Sequence, residues 1–242
     1  MIGVEQRGAV SVVTIDRPDR RNALNTEMCD QLSGAVAAAV AAEVRALVLT
    51  GAGDHFCAGA DLTGVEDDGF RSALARLLRA LGEAPLAAIA AVHGAALGAG
   101  TQLAVACDLR VATADARFGI PAAKLGLMVD HWTVRRLVRL AGEGPARAML
   151  MAAEEVDGAA ALRLGLVQRQ GDLAGAVAWA EHIATLAPLT VTGHKLALER
   201  VAMEPEADAD VEDAVRRAWA SADVAEGMAA FRERRPPEFR GR

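Results

Sequence analysis

Residues Ala90–Ala106 read AAVHGAALGAGTQLAVA, with Cys107 and Asp108 directly after them. The lead-in, Leu86-Ala87-Ala88-Ile89-Ala90-Ala91-Val92, is small and apolar and reads as a buried strand. The chain then passes Gly94, Gly98 and Gly100 and resumes as Gln102-Leu103-Ala104-Val105-Ala106, which reads as a buried helix. Strand, glycine turn, helix: this order leaves free backbone N–H groups at a helix N-terminus, where they can meet negative charge. Glycine also lets main chain approach a ligand where a side chain would block it. A similar turn lies upstream. The strand-like Arg45–Thr50 leads into Gly51-Ala52-Gly53-Asp54-His55-Phe56-Cys57-Ala58-Gly59-Ala60-Asp61-Leu62. Two such turns can aim two N–H groups at one point, which is the geometry of an oxyanion hole.

The segments HFCAGADL (55–62) and AAVHGAALGAGTQLAVACDLRVATADARFGIP (90–121) resemble the paired signatures of the crotonase (enoyl-CoA hydratase/isomerase) superfamily. The resemblance runs from Asp16-Arg17-Pro18…Asn22-Ala23-Leu24 to Glu226-Gly227-Met228…Phe231, nearly the whole chain. It implies an α/β fold: a spiral of ββα units over residues 1–188, then a helical trimerisation region over 189–242. Trimers pair into hexamers in that family. Two backbone N–H groups bind the thioester carbonyl of a fatty acyl-CoA or enoyl-CoA, and by motif these are the amides of Ala60 and Ala99. The same carry-over lays Arg21, Ala23 and Leu24 along coenzyme A and puts Ala58, Asp61 and Leu62 in the loop around its adenine and pantetheine. Gly98, Leu125 and His131 join the CoA and acyl contacts. Coenzyme A enters as part of the thioester; no separate cofactor and no metal are implied.

Composition narrows the function classes. A chain of 242 residues suits one well-cored domain, with a helical appendage as an option. Hydrophobic residues make up 52% but aromatics only 3%, so the interior is built from small side chains. A net charge of −6 argues against a nucleic-acid binder, while local Arg and Lys can still hold a phosphate. No leader pattern and no uninterrupted apolar run near ~18 residues is visible, so a soluble cytoplasmic protein without a transmembrane segment is expected. Cys29, Cys57 and Cys107 are scattered, and neither CxxC nor HExxH occurs, so buried structural thiols are expected.

In chain order, Ile2–Thr14 reads as a hairpin turning at Gly8, and Arg20–Asn25 as a loop. Thr26 is the expected cap of a helix bearing Met28, Leu32, Val36 and Val40. Thr63–Gly69 is an acidic, glycine-bearing run, and Phe70–Leu81 an amphipathic helix with Leu74, Leu77, Leu78 and Leu81 on one face. Asp108–Thr113 reads as a strand, Ala116–Pro121 as a turn, and His131–Leu140 as a helix with an apolar and a basic face. Gly144-Pro145 opens another helix. Helices follow over Leu173–Leu186, Thr190–Met203 and Asp208–Ala222.

Hydrating an enoyl thioester needs acid and base as well as an oxyanion hole. Two positioned carboxyls serve in the family's hydratases, each partner contributing about 10²–10⁴ in rate. Mapped by motif, the two glutamate positions hold Gln102 and Ala122. Gln can hold water but has no useful proton to exchange, and Ala does neither. Two readings of Asp130 follow: a relocated acid/base beside the thioester, or the N-cap of the helix that begins at His131. His93 reads as a satisfied core histidine and His55 as part of the CoA-side loop, while Asp61 reads as a loop-fixing acceptor. Lys195, Arg232, Arg234 and Arg235 are either solvated charges or phosphate contacts. A Ser-His-Asp hydrolase is excluded because no serine sits in a GxSxG turn. A dinucleotide fold is excluded because no GxGxxG opens a helix with an acid downstream. The expected function is acyl-CoA binding with little or no hydratase activity. The competing expectation is an active hydratase, isomerase or thioester hydrolase that uses Asp130.

Overall fold

The computed structural model describes residues 1–61, 68–201, 216 and 219–238. The chain opens with the hairpin β1 (Ile2–Arg7) and β2 (Val10–Ile15), then α1 (Thr26–Ala41), β3 (Ala46–Gly51) and α2 (Asp68–Glu83). Next come β4 (Ala87–Val92), β5 (Ala95–Leu97), α3 (Ala99–Ala106), β6 (Leu109–Ala112) and β7 (Arg117–Gly119). A 3-10 turn at Pro121–Leu125 leads to α4 (His131–Ala141), α5 (Glu143–Met151), β8 (Glu155–Asp157) and α6 (Gly158–Arg163). The described remainder is β9 (Arg169–Gln170), α7 (Leu173–Ala184), α8 (Pro188–Val201) and α9 (Ala222–Glu233).

Six strands form the main sheet in the order β1-β2-β3-β4-β6-β9, antiparallel at the β1–β2 hairpin and parallel beyond it. Its inner strands are covered on both faces, which is why they read as near-continuous apolar runs. In β3, Leu47 and Leu49 face the large core shared with α1, α2 and α3, whereas Ala46 and Val48 face Ala176, Val177 and Ala180 of α7. Alanines make the second interface thin enough for a helix to lie close to the sheet. The fold is the mixed α/β architecture expected, with helices over the sheet and a helical C-terminal region.

Local expectations changed in three places. The cap of α1 is Asn25: it is extended, its side chain accepts from the Met28 N–H, and Thr26 is the first helical residue. The stretch after Gly94 is more than a turn, since Ala95–Leu97 is a strand and α3 begins at Ala99. Ala116–Pro121 likewise contains β7, and β5-β7-β8 form a second, three-stranded sheet. Strands of three residues carry no readable alternation, and this pairing joins residues far apart in the chain. Local propensity therefore missed it.

The segment 63–67 and most of the helix expected over Asp208–Ala222 lie outside the described residues. The last described helix, α9, packs on the Pro121–Leu125 turn of its own chain. A Cβ on Gly227 would lie 2.5 Å from the Leu125 carbonyl oxygen, and one on Gly126 2.6 Å from that of Asp223, so backbone meets backbone here. Among the described residues, no helix is long and apolar enough to cross a membrane.

Candidate functional site

Three loops converge beside the N-terminus of α3. The first is held by Asn22, which is 0% exposed and left-handed (φ 59), as is Arg21 before it (φ 52). The Asn22 side chain accepts from the Arg17 N–H at 2.9 Å and donates to the carbonyls of Ala52 and His55 at 2.8 and 2.6 Å. A short side chain that satisfies three backbone groups of two loops is a keystone, and αL is a conformation Asn tolerates. The Ala58 N–H donates to Arg21 O, Leu24 N–H to Gly59 O and Asp61 N–H to Leu24 O, zipping the first loop to the second. Asp61 also pairs with Arg17 at 2.8 Å, in keeping with a loop-fixing role.

The third loop lies against the second. Cys57 N–H donates to Ala95 O, and Leu97 N–H to Cys57 O. A Cβ on Gly59 would stand 3.1 Å from Leu97 O and 4.0 Å from the Ala99 nitrogen. One on Gly100 would overlap the Cys57 carbonyl, so only glycine lets α3 approach this loop. Gly98 holds φ 53, ψ −116, open only to glycine in practice, and provides no side-chain cap for α3. Thr101 fixes the helix start: its hydroxyl sits 2.5 Å from Ala96 O and 2.9 Å from Gly119 O and accepts the Gly119 N–H. Ala60 and Ala99 thus stand on abutting turns. Among the described residues, neither N–H donates to a protein acceptor.

The other expected ligand contacts fall in distinct places. Arg21 is exposed and lines a cavity of about 300 Å³ with Pro18, Gly53, Asp54 and His55. Ala23 and Ala58 are half-buried beside it, whereas the Leu24 side chain is wholly inside the core and faces the loops only through its backbone. Leu125 is half-buried on the 3-10 turn under α9, and Leu62 lies outside the described residues. His55 Nδ1 accepts from Ala95 N–H at 3.3 Å. His93 is half-buried rather than in the core, its Nε2 2.9 Å from Gly53 O.

No carboxylate occupies either position named for acid/base work. Gln102 is 8% exposed on α3, and Ala122 lies on the 3-10 turn. Asp130 caps α4, its Oδ1 accepting from the Thr133 N–H at 2.9 Å. With His131 it lines a cavity of about 1560 Å³ between α4 and α8, whose described lining omits Ala60, Ala99, Gln102 and Ala122. The Nδ1 of His131 is buried without a partner among the described residues.

Burial pushes the thiols of Cys29, Cys57 and Cys107 up to about 12, so all three stay protonated and inert at neutral pH. Among the described residues, no cluster of three or more His, Cys, Asp or Glu could hold a metal. Lys195 needs correction. It is 8% exposed, and its ammonium donates to Leu81 O, Leu86 O and the Asp108 carboxylate, all at 2.9–3.0 Å. It is a buried strut, neither solvated nor open to a phosphate. A lone Lys on a helix carried no sign of this, because its partners come from distant segments.

A sequence profile described as enoyl-CoA hydratase/isomerase matches residues 5–242. The chain is 44% identical over 245 residues to the probable enoyl-CoA hydratase echA6 of Mycobacterium tuberculosis, with all of both chains covered. A crystal structure of enoyl-CoA hydratase/isomerase from Pseudoalteromonas atlantica superposes with a TM-score of 0.87 at 31% identity, covering 99% of each chain. Methylmalonyl-CoA decarboxylase in complex with 2-nitronate-propionyl-CoA superposes with a TM-score of 0.91 over 100% of this chain and 98% of that one, but at 23% identity this likeness speaks only for the fold. With the glycine-built junction of two turns at the head of α3, these matches make the chain a member of the enoyl-CoA hydratase/isomerase family, in the crotonase superfamily.

Proposed function

We propose that this protein binds fatty acyl-CoA thioesters through the paired amides of Ala60 and Ala99 and has little or no hydratase activity. The single observation that carries this reading is a contrast. Among the described residues, two abutting turns leave both N–H groups without protein acceptors, while the positions mapped for acid/base work hold Gln102 and Ala122. An oxyanion hole needs only main-chain donors at about 3 Å from the developing charge, and the loss of one donor costs about 2.7–4 kcal/mol. Water addition needs proton transfer as well, and neither Gln nor Ala supplies it. The family match supports the acyl-CoA class, and Arg21, Ala23, Ala58 and Asp61 are the residues proposed to follow the CoA portion. On the same reading the protein acts in fatty-acid metabolism in the cytoplasm as a homotrimer or a dimer of trimers.

The test measures loss of conjugated-enoyl absorbance with short and long trans-2-enoyl-CoAs at high protein concentration, beside a calorimetric titration of each ligand. Binding without turnover is the expected result; turnover at an ordinary enzymatic rate refutes the proposal. In that event Asp130 is the next residue to test. An Asp130→Asn variant that keeps affinity and loses turnover would establish the relocated acid. The capping bond to Thr133 and the separate cavity that Asp130 lines favour the binding reading.

A further inference from the structure

Helix α3 has two very different ends. Its eight residues are all buried, and at about 1.5 Å per residue it behaves as a rod roughly 12 Å long. Its C-terminal carbonyls are gripped by two guanidinium groups. Arg110, 1% exposed, donates to Ala104 O at 3.2 Å and Cys107 O at 2.9 Å, and also to Leu166 O and Gln168 Oε1. Arg136 of α4 donates to Val105 O at 2.5 Å, Ala106 O at 3.3 Å and Cys107 O at 3.4 Å. Its remaining nitrogen, Nη1, meets both carboxylate oxygens of Glu199 on α8, at 2.5 and 2.7 Å. Gly82 of α2 belongs to the same junction, since a Cβ there would lie 3.7 Å from Trp132, 3.8 Å from Glu199 and 4.0 Å from Ala106 O.

We infer that the Arg136–Glu199 pair positions the Ala99 amide, so that helix α8 acts on the thioester site through α3. This rests on the proposed function above. Two cations at one helix end repel each other, and Glu199 is the carboxylate bonded to Arg136. Removing its charge frees Arg136 to withdraw from the α3 carbonyls. The rod is pinned at its head by Thr101 and the Gly100 contact, so a shift at the tail becomes a tilt of the first N–H. Lys195, one turn before Glu199 on α8, anchors the same helix on Asp108, just past the end of α3. Arg136 and Glu199 are positioning residues: neither belongs to the turns that meet the ligand.

The experiment uses the full chain with Glu199→Gln, which keeps shape, and Arg136→Lys, which keeps charge and loses the fork. The probes are octanoyl-CoA, labelled with ¹³C at the thioester carbonyl for infrared spectroscopy, and its thioether analogue, which lacks that carbonyl. The expected result is that both variants fold and bind the thioether like wild type. Glu199→Gln should lose about fivefold in thioester affinity, and its carbonyl band should move back toward the free-ligand frequency. Arg136→Lys should do the same to a smaller extent. If wild type shifts the band and the folded variants shift it equally, the inference falls while the proposed function stands. Equal losses for both ligands would make the pair merely structural and overturn it too. A wild-type protein that neither prefers the thioester nor shifts its carbonyl would overturn the proposed function and this inference together.

Discussion

The N-termini of α3 and α4 face the same problem and solve it oppositely. At α4, Asp130 supplies a carboxylate oxygen to the Thr133 N–H, and Asn25, Asp157 and Asp172 serve α1, α6 and α7 in the same way. At α3 the capping position is Gly98, which has no side chain to offer. Both helices are well packed, so the difference is not one of order. Orphan N–H groups at a helix start must find an acceptor, and a helix left uncapped inside a crowded junction is one whose acceptor can come from outside. A polar cap is ill suited to the head of α3 for the very reason it suits α1, α4, α6 and α7.

Four measurements sharpen or break this contrast. The largest effect is expected for Gly100→Ala. Its Cβ meets main chain at Cys57 and neither side can yield cheaply, so a loss of about 3 kcal/mol in chemical denaturation is expected. A variant as stable as wild type would show that the two turns do not need to abut. Next is alkaline titration, which loads both ends of α3, since Cys57 lies under its head and Cys107 follows its tail. Burial raises the folded thiols to about 12 against about 8.5 in an unfolded chain. Their stabilisation is complete below about pH 8.5 and is lost as pH rises toward 12, by roughly 2 kcal/mol per thiol at pH 10. Cys57→Ala and Cys107→Ala should each flatten the stability curve measured by urea melts between pH 8 and 10. An unchanged slope would place the thiols in contact with solvent.

Gly98→Ala comes third. It meets no close atom but forces a side chain into φ 53, at a cost of roughly 1–2 kcal/mol, and acyl-CoA titration should weaken in step as the turn rearranges. Unaltered affinity would detach the turn from the ligand. The smallest effect is expected at the capped helix. Asp130→Ala should cost about 1 kcal/mol by thermal melt, and Asp130→Asn a few tenths because Asn caps as well, with acyl-CoA affinity unchanged in both. Loss of affinity in the folded Asn variant would tie Asp130 to the ligand.

Much of the frame was legible from residues alone. The runs read as strands over Leu86–Val92 and Arg45–Thr50 hold β4 (Ala87–Val92) and β3 (Ala46–Gly51) because unbroken apolar runs suit strands covered on both faces, and the leucines of Phe70–Leu81 do line one buried stripe. The glycine turns stood out because glycine is the one residue whose placement reports backbone conformation. What escaped was whatever depends on distant partners. Asn22 appeared only as part of a loop motif, and nothing local shows its two acceptors, 30 and 33 residues away. Lys195 read as a solvated charge or a phosphate contact and Arg110 only as part of a strand, yet long-range carbonyls and Asp108 or Gln168 make their burial tolerable. Strands β5 and β7 were too short to show a period.

The proposed donors have a practical consequence for anyone who maps this protein by mutation. Ala60 and Ala99 are already alanine, so an alanine scan passes over both without changing an atom. A library of side-chain variants reports on bulk and backbone conformation there, never on the N–H itself. Replacing the amide by an ester through chemical ligation is the perturbation that addresses it. The same blindness applies in evolution. A binding device made of main chain cannot be deleted by exchanging one side chain for another, so a lineage can discard its acids and still keep its ligand.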